Sequence, residues 1–247
     1  MGQRNAQGYV FGLGTIRAAA AGTITGTLQL ASLLQDLSIQ TDQPGLVDAI
    51  RIAGQNILVS NQSCDVNMWD PDCQMEGHRA LGIPLDQQQQ VAIQYTLAGA
   101  GNFTGSIGSD PIQQQQVIPV NELGPALDYA AGLGTVAAPL LGAWSLTCTI
   151  LRPVFLGRMV LTPAVADDLT VSSVTVNNIE LMSGAAGAAG EAPIESWAHT
   201  ATDVDGLTMN YFARANDLLT ITGTNYNAGP QRVDGGVFIL PPPIPAG

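Results

Sequence analysis

The feature that most constrains this chain is that it contains one stretch twice. GLGTI at Gly12–Ile16 returns as GLGTV at Gly132–Val136, and GTITGTLQL at Gly22–Leu30 is answered by GAWSLTCTI at Gly142–Ile150. LLQDLSIQT (Leu33–Thr41) then pairs with FLGRMVLTP (Phe155–Pro163), and LVDAIRIAGQNILVS (Leu46–Ser60) with LTVSSVTVNNIELMS (Leu169–Ser183). The four blocks keep their order while the offset drifts only from 120 to 123 residues. Solenoid repeats of about 20–50 residues cannot bury a core singly, whereas a period of this size is that of a domain. The expectation is therefore two similar domains, residues 1–121 and 122–247, with the boundary near Asn121–Gly134.

Within each copy the apolar residues alternate instead of recurring at helical spacing. Thr23–Leu30 reads as a half-buried strand rich in β-branched residues. Leu33–Ile39 has leucines at helix-like intervals, but its counterpart follows Pro153 and contains Gly157, which favours a strand for both. Ile50–Ala53 and Asn56–Ser60 flank a turn at Gly54-Gln55, matched by Asn177-Asn178 in the second copy. Ile50 and Ile52 are expected to face a core, as Val174 and Val176 do. Further strands are expected at Leu81–Leu85, Val91–Leu97, Asn102–Ile107 and Val117–Val120, then at Leu207–Phe212, Leu218–Thr224 and Arg232–Leu240. Glu122–Ala131 is the one candidate helix, limited by Pro125. About eight short strands in each half make an all-β chain of two tandem sandwiches, the size of eight-stranded jelly rolls. No Cys…Trp…Cys spacing supports an immunoglobulin pair.

Charge narrows the partners. The net charge is −12, and all eight basic residues are arginine with no cluster among them. Such a field repels a phosphate backbone, so direct nucleic-acid binding is not expected. The first eight residues carry a single arginine, and no apolar run approaches the length of a membrane span. Tyr9–Gly22 lacks the charge order of a signal peptide, so the chain is expected to be neither membrane-spanning nor classically secreted. Charged residues are only 11% of the whole, so polar surface must come from Gln, Asn, Ser and Thr. That suits large subunit contacts, where charges are costly to desolvate.

Both copies place a polar insertion after the last repeat block, Asn61–Arg79 and Gly184–Asp205. The first contains CDVNMWDPDCQMEGH (Cys64–His78). Asp65, Asp70, Asp72 and Glu76 offer oxygen ligands for Ca²⁺, although the spacing is not that of an EF-hand. Cys64, Cys73 and His78 offer zinc ligands at a spacing wider than the usual close pair. The plainer reading is a surface tower held by Trp69 and, in an oxidising compartment, by a Cys64–Cys73 disulfide. Cys148 reads as a small buried hydrophobe. Asp167, Asp168, Asp203 and Asp205 are turn acids, and His199 beside Trp197 has no nucleophile motif near it. Asn61-Gln62-Ser63 and Asn102-Phe103-Thr104 fit the glycosylation sequon. No hydrolase, zincin, phosphate-loop or dinucleotide fingerprint is present. No catalytic residue, metal site or cofactor is therefore assigned, and no enzymatic activity is expected.

The repeated GLGT blocks, the matched pair IRIAGQNILVS/VTVNNIELMS and the equivalent insertions resemble the double jelly-roll major capsid proteins of tailless icosahedral viruses, the corticovirus and tectivirus groups. The resemblance covers most of the chain at the level of architecture. It implies two upright jelly rolls side by side, a pseudo-hexagonal homotrimer, and loops rising as towers at one end. It further implies a virion location, an icosahedral shell, and neighbouring capsomers, vertex proteins and an internal membrane as partners. Cys64–Gly77 and Gly184–Pro193 would be the towers, and Met1–Tyr9 and Pro241–Gly247 arms on neighbours. The competing class is an extracellular two-domain β-sandwich binding module or adhesin, using the acidic loop or the towers for its ligand.

Overall fold

A computed structural model describes residues 9–28, 31–69, 83–111, 129–165, 168–181, 191–197 and 208–240. These residues are strand throughout apart from turns and two 3-10 segments, Val66–Trp69 and Ile194–Trp197. The strands are β1 (Tyr9–Thr27), β2 (Ser32–Thr41), β3 (Gly45–Ile52), β4 (Gln55–Asn56), β5 (Cys64–Asp65), β6 (Ile83–Leu85) and β7 (Gln90–Pro111). After them come β8 (Ala130–Ala138), β9 (Ala143–Thr149), β10 (Val154–Pro163), β11 (Leu169–Val176), β12 (Ile179–Glu180), β13 (Ala192–Pro193), β14 (Thr208–Ala213), β15 (Leu218–Asn225) and β16 (Gln231–Leu240).

In the second half, β14-β10-β16-β8 form one antiparallel sheet and β12-β11-β15-β9 another, with β13 added to β11. The first half follows the same order with two strands doing double duty. Residues 103–111 of β7 lie between β2 and the start of β1, while residues 90–97 lie between β3 and the end of β1. β6 flanks β2, and β4 and β5 flank β3. A single seven-stranded sheet thus folds over on itself. Tyr95 and Phe103 show how sharply: both are fully buried and their rings stack at 3.8 Å, although both belong to β7. An unbent strand would hold residues eight apart about 26 Å from each other.

The residue types explain why one half bends and the other breaks. β1 turns its corner at Ala18 (φ 51°), in a run of alanines small enough to continue the ladder past a bulge. In half two the same corner contains Pro139, which cannot donate to a ladder, and the chain turns at Leu140-Leu141 (Leu141 φ 46°) between β8 and β9. Asp42 holds the bend of β7 by accepting from the amide and side chain of Asn102, both at 2.8 Å. Buried Asn225 serves half two instead, its side-chain amide donating to the carbonyls of Ala138, Pro139 and Gly229.

Bulges recur at matching places. Asp48 is the extra residue between Val47↔Tyr95 and Ala49↔Gln94, and Ser172 between Val171↔Gly223 and Ser173↔Thr222. An inserted residue moves every later side chain to the other face. Buried Val47 and Ile50 are accordingly three apart, as are Val171 and Val174. Leu13 and Leu133 are likewise both bulged and both buried. The tight turns agree too: Gln88 and Asn216 share φ 71°, ahead of β7 and β15.

Several expectations need correction. Val91–Leu97 and Asn102–Ile107 are one strand, not two. The hairpin turn falls at Ala53-Gly54, one residue early, because φ of 49° and 84° there forms the two-residue turn whose twist suits a hairpin. The helix expected to end at Ala131 does not, since Ala130 and Ala131 begin β8; residues 122–128, and with them the boundary at 121/122, lie outside the described residues. Leu33–Ile39 is strand as expected, and Ile50, Ile52, Val174 and Val176 are all buried.

Candidate functional site

The most distinctive polar construction among the described residues is the seam where the two halves meet. After the β3–β4 hairpin the chain leaves along residues 57–63 and runs over the second half before entering β5. Its backbone is read at almost every step. Tyr129 N donates to Ile57 O (3.1 Å), Val59 N to Ala130 O (2.8 Å) and Leu151 N to Val59 O (2.8 Å). Asn61 N donates to Thr149 O (3.2 Å) while Thr149 N returns a bond to Asn61 Oδ1 (2.7 Å). Ser60 Oγ donates to Gly132 O (2.8 Å), and Gly134 N donates to Ser63 O (2.8 Å). This strap closes the outer edge of β8, which would otherwise present unpaired backbone groups.

Below the strap, the 3-10 turn Val66–Trp69 drives Val66, Met68 and Trp69 inward. Trp69 stacks on Tyr129 at 5.3 Å, and Tyr129 meets Phe238 edge-on at 5.9 Å. Tyr129, Ala130, Val160 and Phe238 thereby join the first half's core cluster, and Val59 joins the second's. A hydrophobic seam of this kind fixes the two halves against each other.

Two acids are buried in it. Asp65 Oδ1 accepts from the amide and the side chain of Asn67 (3.0 and 3.1 Å), and its Oδ2 is buried as well. Burial pushes the Asp65 carboxyl up to about 7, helped by the like charge of Asp234 and opposed by Thr162 and Asn67. Asp234 is raised by burial as well, against hydrogen bonds from Thr135 and Arg232. Arg232 Nε reaches both its carboxylate oxygens, at 2.9 and 2.8 Å. A proton shared into this pair removes a buried charge, so the seam is electrostatically easiest when Asp65 is neutral.

Each half also ties the root of this connection to its sheet through a carboxylate. Pairing registers make Ser63 the counterpart of Glu191, Asp48 of Ser172 and Thr96 of Thr224. In half one Asp48 accepts from Ser63 Oγ (2.7 Å) and Thr96 Oγ1 (2.8 Å). In half two Glu191 accepts from Thr170 (2.9 Å), Ser172 (3.1 Å), Thr224 (2.8 Å) and Tyr226 (2.8 Å). Burial alone would raise Glu191, but these four hydroxyls hold it below the usual range.

The sequence-proposed ligands fare differently. Cys64–Gly77 does not begin as a protruding tower: Cys64, Asp65, Met68 and Trp69 are fully buried, because the apolar side chains of VNMW seat between the halves. Asp65, offered as a calcium ligand, is committed to Asn67. Cys64 Sγ lies 3.0 Å from Met68 Sδ. Asp70, Asp72, Cys73, Glu76 and His78 lie outside the described residues, as do Asp167, His199, Asp203, Asp205, both arms apart from Tyr9, and residues 184–190 of the second loop. Glu191–Pro193 are strand-associated at the root of that loop. Cys148 is buried, its thiol pushed up to about 12 by desolvation. Among the described residues no three His, Cys, Asp or Glu side chains gather as a metal site, and no helix is long and apolar enough to cross a membrane. Sequence reasoning missed Tyr129, Arg232, Asp234 and Glu191; the recurring GLGT glycines were the signal that something crosses there.

No protein-family model matches the chain, and no curated protein matches it. Solved structures similar to it include the major capsid protein P2 from bacteriophage PM2, at 10% identity and TM-score 0.39, covering 95% of this chain and 98% of that one. PNGase F, a glycosylasparaginase from Flavobacterium meningosepticum, is similar at 10% identity and TM-score 0.33, covering 94% and 95%. A triple jelly roll from an archaeal virus turret assembly is similar at 12% identity and TM-score 0.22, covering 95% and 60%. These scores are too low for any of the three to establish a fold or a function.

Proposed function

We propose that this chain is a structural shell protein: two tandem eight-stranded jelly rolls, residues 1–121 and 122–247, that assemble as pseudo-hexagonal homotrimers into the icosahedral capsid of a virion. The observation that carries the reading is the strand-for-strand agreement of the two halves, bulges included, joined by a strap from one onto the edge of the next. Three such chains supply six like units, so a ring of three around a threefold axis approximates sixfold symmetry. The chemistry of the seam is that of a joint: backbone pairing, stacked aromatics and acids held by hydroxyls and amides.

Oligomeric state is the test. Light scattering and native mass spectrometry of the purified chain are expected to show a stable trimer, and cryo-electron microscopy of assembled material a hexagonally packed shell. A chain that stays monomeric at high concentration and binds glycans would instead be the adhesin, and would end the capsid reading.

A further inference from the structure

Half two is closed along β8 because the strap of half one lies on it. The corresponding edge of half one is β1 around Gly12, Leu13 and Gly14. The two edges are built alike: Leu13 and Leu133 are the same bulge residue, and Gly14 and Gly134 both have left-handed backbone (φ 108° and 79°). Their surroundings are opposite. Gly132 and Gly134 are buried, and a Cβ on Gly132 would run into the carbonyl oxygens of Gln62 and Ser63. Gly12 and Gly14 are exposed, and a Cβ on Gly12 meets nothing within 4 Å among the described residues. β1 pairs with β7 alone among the described strands, which leaves its other edge open. Gly12 has no left-handed φ to justify it, and glycine weakens a strand. Among the described residues nothing crowds the place of its missing side chain.

The other half of the match is the connection from β12 to β13. It leaves at Leu181 as the strap leaves at Ile57, since Leu181 N bonds Val174 O as Ile57 N bonds Ile50 O. It returns at Glu191 as the strap returns at Ser63. By this match the β12–β13 connection corresponds to the strap, and the β1 edge, exposed at Gly12 and Gly14, corresponds to the strap's seat on β8.

We propose that the β1 edge at Gly12–Gly14 is the seat for the β12–β13 connection of a second copy of this chain. The contact is head-to-tail, so it repeats from copy to copy and closes into a ring when the rotation allows. The proposal rests on the shell-protein reading above and names the surface through which its trimer forms. In it Gly14 N–H takes the part of Gly134 N–H, donating to the carbonyl at Glu191 of the neighbour. Gly12 is small for the reason Gly132 is small.

Full-length Gly12→Val tests it, because valine suits a strand and has free space in the isolated subunit. Its circular dichroism and melting temperature as a monomer are expected to match the parent, while trimer dissociation, read by analytical ultracentrifugation, rises at least tenfold. Hydrogen exchange across residues 9–17 of the unmodified protein gives an independent reading, with amides expected to exchange at least tenfold slower in trimer than in monomer. A trimer that forms equally well with valine, and whose β1 edge exchanges as fast as the monomer's, overturns the seat and leaves the shell reading standing. A parent chain that never forms trimers overturns both.

Discussion

The two halves keep the same anchor with its parts exchanged. In half one the acid is on the bulge (Asp48) and the hydroxyl at the strap's return (Ser63); in half two the hydroxyl is on the bulge (Ser172) and the acid at the return (Glu191). Thr96 and Thr224 donate from the same place on the next strand in both. What persists between the copies is a bulged residue facing a returning chain at hydrogen-bond distance. Which side carries the charge is free, because the bond is equally good either way round. Half two adds Thr170 and Tyr226, so its acid is the better satisfied.

The largest effect should come from the place where the halves differ in crowding. Gly132→Val drives a side chain into the backbone of Gln62 and Ser63, neither of which can swing aside. We expect a loss of ~3 kcal/mol or more in denaturant unfolding, by the overpacking that a close backbone crossing cannot relieve. A loss below that of an ordinary surface substitution would mean that the strap does not lie on β8.

Asp65 supplies the next test, since its counterpart in half two is Pro193 and cannot titrate. Its folded pKa of about 7 lies above the ordinary carboxylate value, so the folded state holds the extra proton between roughly pH 4 and 7. Stability from this group is therefore full below about pH 4 and is lost as pH rises through 7, on the order of 2–4 kcal/mol. Asp65→Asn should flatten that decline, measured as the difference between parent and variant urea midpoints from pH 4 to 8. Parallel curves would show the acid to be ionised and satisfied in the seam.

The smallest effect sharpens the exchange of parts. Glu191→Gln should cost ~1 kcal/mol, and Asp48→Asn no more than that, since each replaces charged with neutral acceptors near the surface. Ser63→Glu alone sets two acids face to face and should cost ~1 kcal/mol, most of which Asp48→Ser should restore by rebuilding the other half's arrangement. Simple additivity in this cycle would show the two sites to be uncoupled.

Much of this fold was legible because its signals are local. The alternation of Trp144, Leu146 and Cys148 appears unbroken in β9, and the four repeat blocks bring out the same strands twice. The bend of β7 was not legible, because LAGAGNF reads as a break where small residues in fact let the ladder continue around a corner. Nor was the fate of VNMW: Asp65, Asn67 and Asp70 make the stretch look solvated, and what covers it comes from β2 and β3 together with residues of the second half some 60–170 away in sequence. The seam's acids share that limit. Asp234 and Arg232 are two apart in β16 and look like an ordinary exposed pair until Asp65 is brought beside them.

The strap also sets an order of events in time. During synthesis from the amino terminus, the partner of β1 among the described strands, β7, emerges more than 60 residues later. Even then the strap's bonds wait for Tyr129–Gly134 and Thr149–Leu151. The first half is thus held incomplete on the ribosome, with its seam face uncovered, until the second half follows it out. Long-range pairing of this sort makes for slow closure and exposes strand edges to neighbouring nascent chains. In a protein made in many copies at once, the completion of each subunit is then in competition with premature pairing between them.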